Sequence, residues 1–228
     1  MKKDILLNHL NTKERKAEIF IKKDLKGDTI FELSKILDLT FSYYHYDEAE
    51  IILNSCSGEF SNLNFLINML NQFKANEKEI GITALFNICN GASFFLSCGT
   101  VGKRKAYKNA KFIYNLKKSQ TKITFLNDTN LKKYNEEESM VLSQVTEAGI
   151  TAVNYYRENL DYYFFRKIIK RFLNQACQLE LIDCCTIKRF SINKFKKILK
   201  DAYSRLFKES IVITPQIALN LFLIDKIV

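Results

Sequence analysis

Asn90-Gly91-Ala92-Ser93-Phe94-Phe95-Leu96-Ser97-Cys98-Gly99 is the stretch whose reading decides the fold of this 228-residue chain. An apolar run from Glu79 to Cys89 leads into it and predicts a strand. Asn90 then opens a helix toward Cys98. Val101-Gly102-Lys103-Arg104 and Asn109-Ala110-Lys111-Phe112-Ile113-Tyr114-Asn115 follow, and Gly99 to Asn115 supplies two short extended segments.

The same alternation continues outward. Ala17 to Ile21 alternates as a short strand. Asp28 precedes the helically spaced Thr29 to Leu37 and is expected to be its N-cap. Glu50 to Asn54 predicts a buried strand. Phe60 through Phe73 predicts a helix with Leu63, Leu66, Ile67 and Leu70 on its apolar face. Strand, helix and strand joined by short connections predict an α/β fold of parallel strands with crossover helices. Beyond Asn115 the pattern changes to long helices, at Glu136 to Tyr156, Asp161 to Leu181 and Ile192 to Phe207. The last places Phe195, Ile198, Leu199 and Leu206 on one face with lysines opposite. That reads as a core-facing helix with a solvated basic side, the alternative being a membrane-surface or partner-binding helix.

These motifs resemble the proteolytic subunit of the Clp protease, the ClpP family. Its nucleophile segment reads Ser-Met-Gly-Ala-Phe-Leu-Leu-Ala-Ala-Gly, then Gly-Lys-Arg, then Asn-Ala-Arg-Ile-Met-Ile-His, and the frame carries over without a gap. Leu53-Asn54-Ser55-Cys56-Ser57-Gly58 resembles the family's Ile-Asn-Ser-Pro-Gly-Gly. Thr214 to Ile227 resembles its closing Ser-Ala-Glu-Glu-Ala-x-x-x-Gly-Leu-Ile-Asp-x-Ile, with Phe222 at the family's glycine. An earlier echo at Gln175 to Asp183 lacks the Thr-Pro start. The resemblance implies the ClpP/crotonase fold: stacked ββα units in a curved, mostly parallel sheet, with an extended helical handle. Residues 1–228 are expected to form one domain, with 116–207 an expanded handle within it.

The reactive residues of that family are replaced. Asn90 stands at the nucleophilic serine, Asn115 at the histidine and Ser210 at the aspartate, with Glu209 the only nearby acid. A serine hydroxyl needs an adjacent base to become a nucleophile, and an amide supplies neither nucleophile nor base. The oxyanion-hole positions correspond to Ser57, Gly58 and Gly91. Such a hole needs backbone N–H groups aimed at a developing O⁻, and Ser57 replaces a glycine there. The resemblance therefore implies a catalytically inactive, ClpR-type subunit of an ATP-dependent Clp complex. Its implied partners are an active ClpP-like subunit and an AAA+ unfoldase, in a homo- or hetero-oligomer.

Two alternatives use the same fold. In one, an active serine endopeptidase, the nucleophile moves to Ser93, one helical turn from Asn90, with Ser55, Ser57 and Ser97 nearby. A Ser–Lys dyad would take Lys103 or Lys111 as base. The other is a crotonase-like acyl-CoA enzyme, for which the motifs place no acid/base pair. The histidines, His9 and His45, lie upstream of the nucleophile segment. The helices after Glu136 carry Phe164, Phe165, Ile168, Ile169, Phe172 and Leu173, more apolar surface than a solitary handle is expected to bury, which argues for an oligomer.

Composition adds bounds. The six cysteines form no C-x-x-C pair, so reduced thiols are expected and no metal or cofactor. Lysines are scattered through a chain of net charge +10 without a nucleic-acid module, so neither nucleic acid nor membrane is expected as partner. The N-terminal apolar run is cut short by Asn8 and His9, and no run spans a bilayer. A soluble protein of the cytoplasm or of an organelle stroma or matrix is expected.

Overall fold

The computed structural model describes residues 5–11, 13–54, 57–58, 60–114, 128–183 and 191–228. Six strands make the main sheet: β1 (Ile5–Asn11), β2 (Lys16–Ile21), β3 (Glu48–Leu53), β4 (Glu79–Ala84), β6 (Arg104–Ala106) and β9 (Lys226–Ile227), in the order β1-β2-β3-β4-β6-β9. Among the described residues of this sheet, only the β1–β2 pair is antiparallel. The connecting helices are α1 (Gly27–Asp38), which runs into a π-helical turn at Leu39–Tyr43, and α2 (Phe60–Ala75). A second sheet has the order β5 (Ile88–Cys89), β7 (Phe112–Tyr114) and β8 (Ile211–Ile213). The α/β architecture with a mostly parallel sheet is as the sequence predicts.

Alternation makes the main sheet two-faced. Ile19, Ile51 and Ile82 are paired in register and fully buried on the face packed by helices. On the opposite face Glu50 lies over Gly81, whose missing side chain leaves room for the carboxylate: a Cβ at Gly81 would run into Glu50 Oε2. Thr83 Oγ1 donates to Glu50, and Lys105 Nζ lies 3.2 Å from it. These partners satisfy a carboxylate that is almost out of water.

The helical region consists of α4 (Asp128–Asn159), α5 (Tyr162–Gln178), α6 (Ile192–Lys208) and α7 (Pro215–Asn220), with α3 (Gly91–Ser97) following β5. Asp161 caps α5, accepting from the N–H of Tyr163 at 2.8 Å and Phe164 at 3.0 Å. Thr214 caps α7 and Pro215 occupies its first turn, where a missing N–H costs nothing.

Several expectations need correction. The run from Glu79 to Cys89 is two strands in different sheets, because the chain leaves the main sheet through the exposed Phe86 and Asn87. Asp28 is not the N-cap of α1. Lys26 holds that position, and Asp28 sits in the first turn, where a carboxylate favours the positive helix end. Residues Ile5 to Asn11, unread as a strand, form the edge hairpin with β2. The apolar residues of the helices after Glu136 are also largely buried within one chain. Phe165, Ile169 and Phe172 are buried, Ile168 and Leu173 partly so, and only Phe164 is exposed. The reason is Phe222: it stacks on Phe172 at 5.5 Å, and Phe195 of α6 meets Phe172 edge-on at 5.1 Å.

Candidate functional site

Strand direction in the second sheet brings two of the candidate positions, Asn90 and Ser210, to one edge. β5 and β7 run parallel and β8 antiparallel, so the ends of the first two and the start of the third share one edge. Asn90 follows β5 and donates its backbone N–H to Ile113 O at 2.8 Å. Ser210 immediately precedes Ile211, which is paired with Tyr114, the last residue of β7. Asn115 lies outside the described residues, as do Ser55 and Cys56.

Asn90 is the junction of β5 and α3, with φ 49° and ψ −124°. An L-residue is strained there, and such strain persists only where surrounding structure enforces it. A sharp strand-to-helix turn of this kind lifts a side chain out at the sheet edge. Here that side chain is an amide, half-buried, and it does not cap α3.

Ser57, Gly58 and Gly91, the positions expected to line an oxyanion hole, lie together, and the N–H groups of Ser57 and Gly91 are engaged. Ser57 N–H donates to Asp24 Oδ1 at 2.9 Å, and Gly91 N–H donates to Gly58 O at 3.2 Å. Gly58 and Gly91 press against each other. A Cβ at Gly58 would meet Ala92 N at 2.7 Å; one at Gly91 would meet Gly58 O at 2.8 Å and run into Leu63 Cδ1. Asp24 and Leu63 were not legible as site residues, since each acts from a distant segment. Tyr114 was missed too: its ring packs on Phe94 at 4.9 Å, and its buried hydroxyl has no hydrogen-bond partner among the described residues.

No protein-family model matches the sequence, and no curated protein sequence matches it. Solved structures do. The chain superposes on the ClpP protease catalytic domain from Plasmodium falciparum with a TM-score of 0.56 at 13% identity, covering 95% of this chain and 86% of that one. A peptidase from the same organism gives a TM-score of 0.54 at 14% identity, covering 95% of this chain and 96% of that one. The fold is that of the ClpP protease catalytic domain.

On this ClpP fold the relocated-catalysis candidates are poorly placed. Ser93 is fully buried and donates to Ile88 O at 3.1 Å; Ser97 is buried and donates to Ser93 O at 3.4 Å. The Ser93 hydroxyl serves the β5 backbone and the Ser97 hydroxyl the α3 backbone. Lys103 lies between Glu48, at 2.8 Å, and Glu79, at 2.5 Å. Burial disfavours its charge, but hydrogen bonds to the two carboxylates outweigh burial and hold its pKa above the ordinary lysine value, unlike a general base. Lys111 is exposed on the turn before β7. His45 is exposed before β3, with its carbonyl accepting from Arg15. A cleft of about 750 Å³ opens at the other end of α3 from Asn90, lined by Lys74, Cys98, Thr100, Gln144, Glu147 and Thr151 among others. Among the described residues no His, Cys, Asp and Glu cluster could hold a metal, and no helix is long and apolar enough to cross a membrane.

Proposed function

We propose that this chain is a catalytically inactive ClpP-like subunit that occupies a place in a proteolytic ring without contributing an active site. The observation that carries the reading is Asn90 at the strained β5–α3 junction, φ 49°. The backbone there is one a nucleophile would use, yet the side chain supplies no nucleophile. The engaged N–H groups of Ser57 and Gly91 support the same reading, because an oxyanion needs free donors. In this role the chain, at Asn90, Asn115 and Ser210, lowers the number of active sites per ring. Its neighbours are an active ClpP-like subunit and an AAA+ unfoldase, in the cytoplasm or an organelle stroma or matrix.

The test is hydrolysis of short fluorogenic peptides together with a fluorophosphonate probe. Neither cleavage nor serine labelling is expected, and Asn90→Ser alone leaves both absent because the position of the base still holds an amide. Stoichiometric labelling at Ser93, abolished by Ser93→Ala, would overturn inactivity. Native mass spectrometry with a co-expressed active ClpP-like chain tests the ring role; separate species in the mixture reject it.

A further inference from the structure

Positive charge is concentrated on one part of the molecule. The chain has 35 Lys and Arg against 25 Asp and Glu; residues 162–208 hold twelve of the former and three of the latter, leaving 23 and 22 elsewhere. Nearly all of the net charge of +10 therefore belongs to α5, α6 and their connection.

The helices turn this charge outward. Phe165, Ile169, Phe172 and Ala176 form the inner stripe of α5. At helical spacing the opposite stripe runs through Tyr163, Lys167 and Lys170, flanked by Arg166 and Arg171, all exposed. On α6, Phe195, Leu199 and Ala202 face in, while exposed Lys194, Lys197 and Lys200 recur every third residue. The helices adjoin through the Phe172–Phe195 ring contact. Among the described residues no carboxylate forms an ion pair with any of these cations. At the head of the α5 stripe, Tyr162, Tyr163 and Phe164 are 70%, 71% and 53% exposed.

We propose that the outward face of α5 and α6 docks peripherally on an anionic lipid membrane. The cations lie against the headgroups, and the aromatic trio seats at headgroup depth. Stable attachment without a spanning helix takes two signals, and this face supplies charge and aromatic anchoring together. Single-stranded nucleic acid would call for aromatics interleaved with cations along a groove. Here the aromatics gather at the N-terminal end of α5, ahead of the cations rather than between them. The expectation of no membrane partner treated the lysines as scattered, whereas the excess positive charge lies within residues 162–208 and is exposed there on helical stripes. The inference is independent of whether Asn90 marks an inactive site.

The test is co-sedimentation of the full chain with phosphatidylcholine vesicles containing about 30% phosphatidylserine, against phosphatidylcholine alone. Binding to the anionic vesicles, at least about tenfold weaker on neutral ones and falling with salt, is expected. Lys167→Glu with Lys170→Glu and Lys197→Glu should reduce partitioning by about a hundredfold. Lys22→Glu with Lys108→Glu and Lys226→Glu, the same charge change on other faces, should leave it within about twofold. The chain has no tryptophan, so Tyr163→Trp reports insertion by a blue shift on anionic vesicles. No binding to anionic vesicles, or equal loss in the control variant, would overturn the proposal. So would tighter binding to oligo(dT) or poly-glutamate than to vesicles, which would assign the face to nucleic acid or to an acidic protein.

Discussion

Arg104 and Asp225, 121 residues apart, are locked together where β6 meets the C-terminal segment: the guanidinium Nε lies 2.8 Å from Asp225 Oδ2, and both side chains are almost wholly buried. The carboxylate also accepts from Gly102 N at 2.7 Å and from the Tyr156 hydroxyl of α4 at 3.0 Å. Arg104 in turn donates to Phe222 O at 3.0 Å and Ser97 O at 3.2 Å. One ion pair thus ties α3, β6, α4 and the C-terminus.

Removing one partner leaves a buried charge uncompensated. Asp225→Asn and Arg104→Met should each lower unfolding free energy by about 3–5 kcal/mol in urea denaturation. Arg104→Met combined with Asp225→Leu should cost less than the two single changes added together, because no lone charge remains. Strict additivity would show that the pair is not coupled.

Phe222 sits at φ 59°, a conformation that favours glycine, yet its ring is the centre of the packing of α5 and α6. Phe222→Gly relaxes the backbone by about 1 kcal/mol but empties a cluster whose loss costs about 3–5 kcal/mol. Net destabilisation is expected, with α5 and α6 losing amide-exchange protection before the main sheet. A neutral or stabilising result would mean that the aromatic cluster does not hold the arm.

At the β5–α3 junction the sign reverses. Asn90 packs no comparable cluster and carries backbone strain, so Asn90→Gly should raise stability by about 1 kcal/mol. Gly91→Ala should lower it by about 1–3 kcal/mol, since the new Cβ meets Gly58 O and Leu63. Thermal unfolding of both variants measures the contrast, and two shifts of the same sign would contradict the geometry.

The ends of β3, β4 and β6 predict a pH dependence. Burial pushes the Glu48 carboxyl up, but hydrogen bonds from Lys103 and Lys16, 2.8 and 3.1 Å away, together with their charges hold it below its ordinary value. A depressed carboxylate contributes stability that is present above its unfolded value, about 4.3, and is lost as pH falls through the lower folded value. Lys103, held above its ordinary value, contributes fully below its unfolded value of 10.5 and loses that contribution as pH rises through the folded one. Glu48→Gln should flatten both limbs of a stability–pH profile. An unchanged acid limb would show that Glu48 is not its source.

Local patterns within this sequence determined the elements: the buried alternation of β2, the Asn90 opening of α3, the Asp161 and Thr214 caps and the amphipathic α6. Each depends on residues a turn or two apart, where helix period, strand period and capping chemistry act. The ClpP-like motif frame added the expected fold. Tertiary structure alone decided that Glu79 to Cys89 divides between two sheets and that Gly91 spends its N–H on Gly58. It also decided that Phe222 seals helices whose apolar residues looked too many for one chain. These outcomes join residues tens to more than a hundred positions apart, and packing and charge act through space, which no local window of the sequence records.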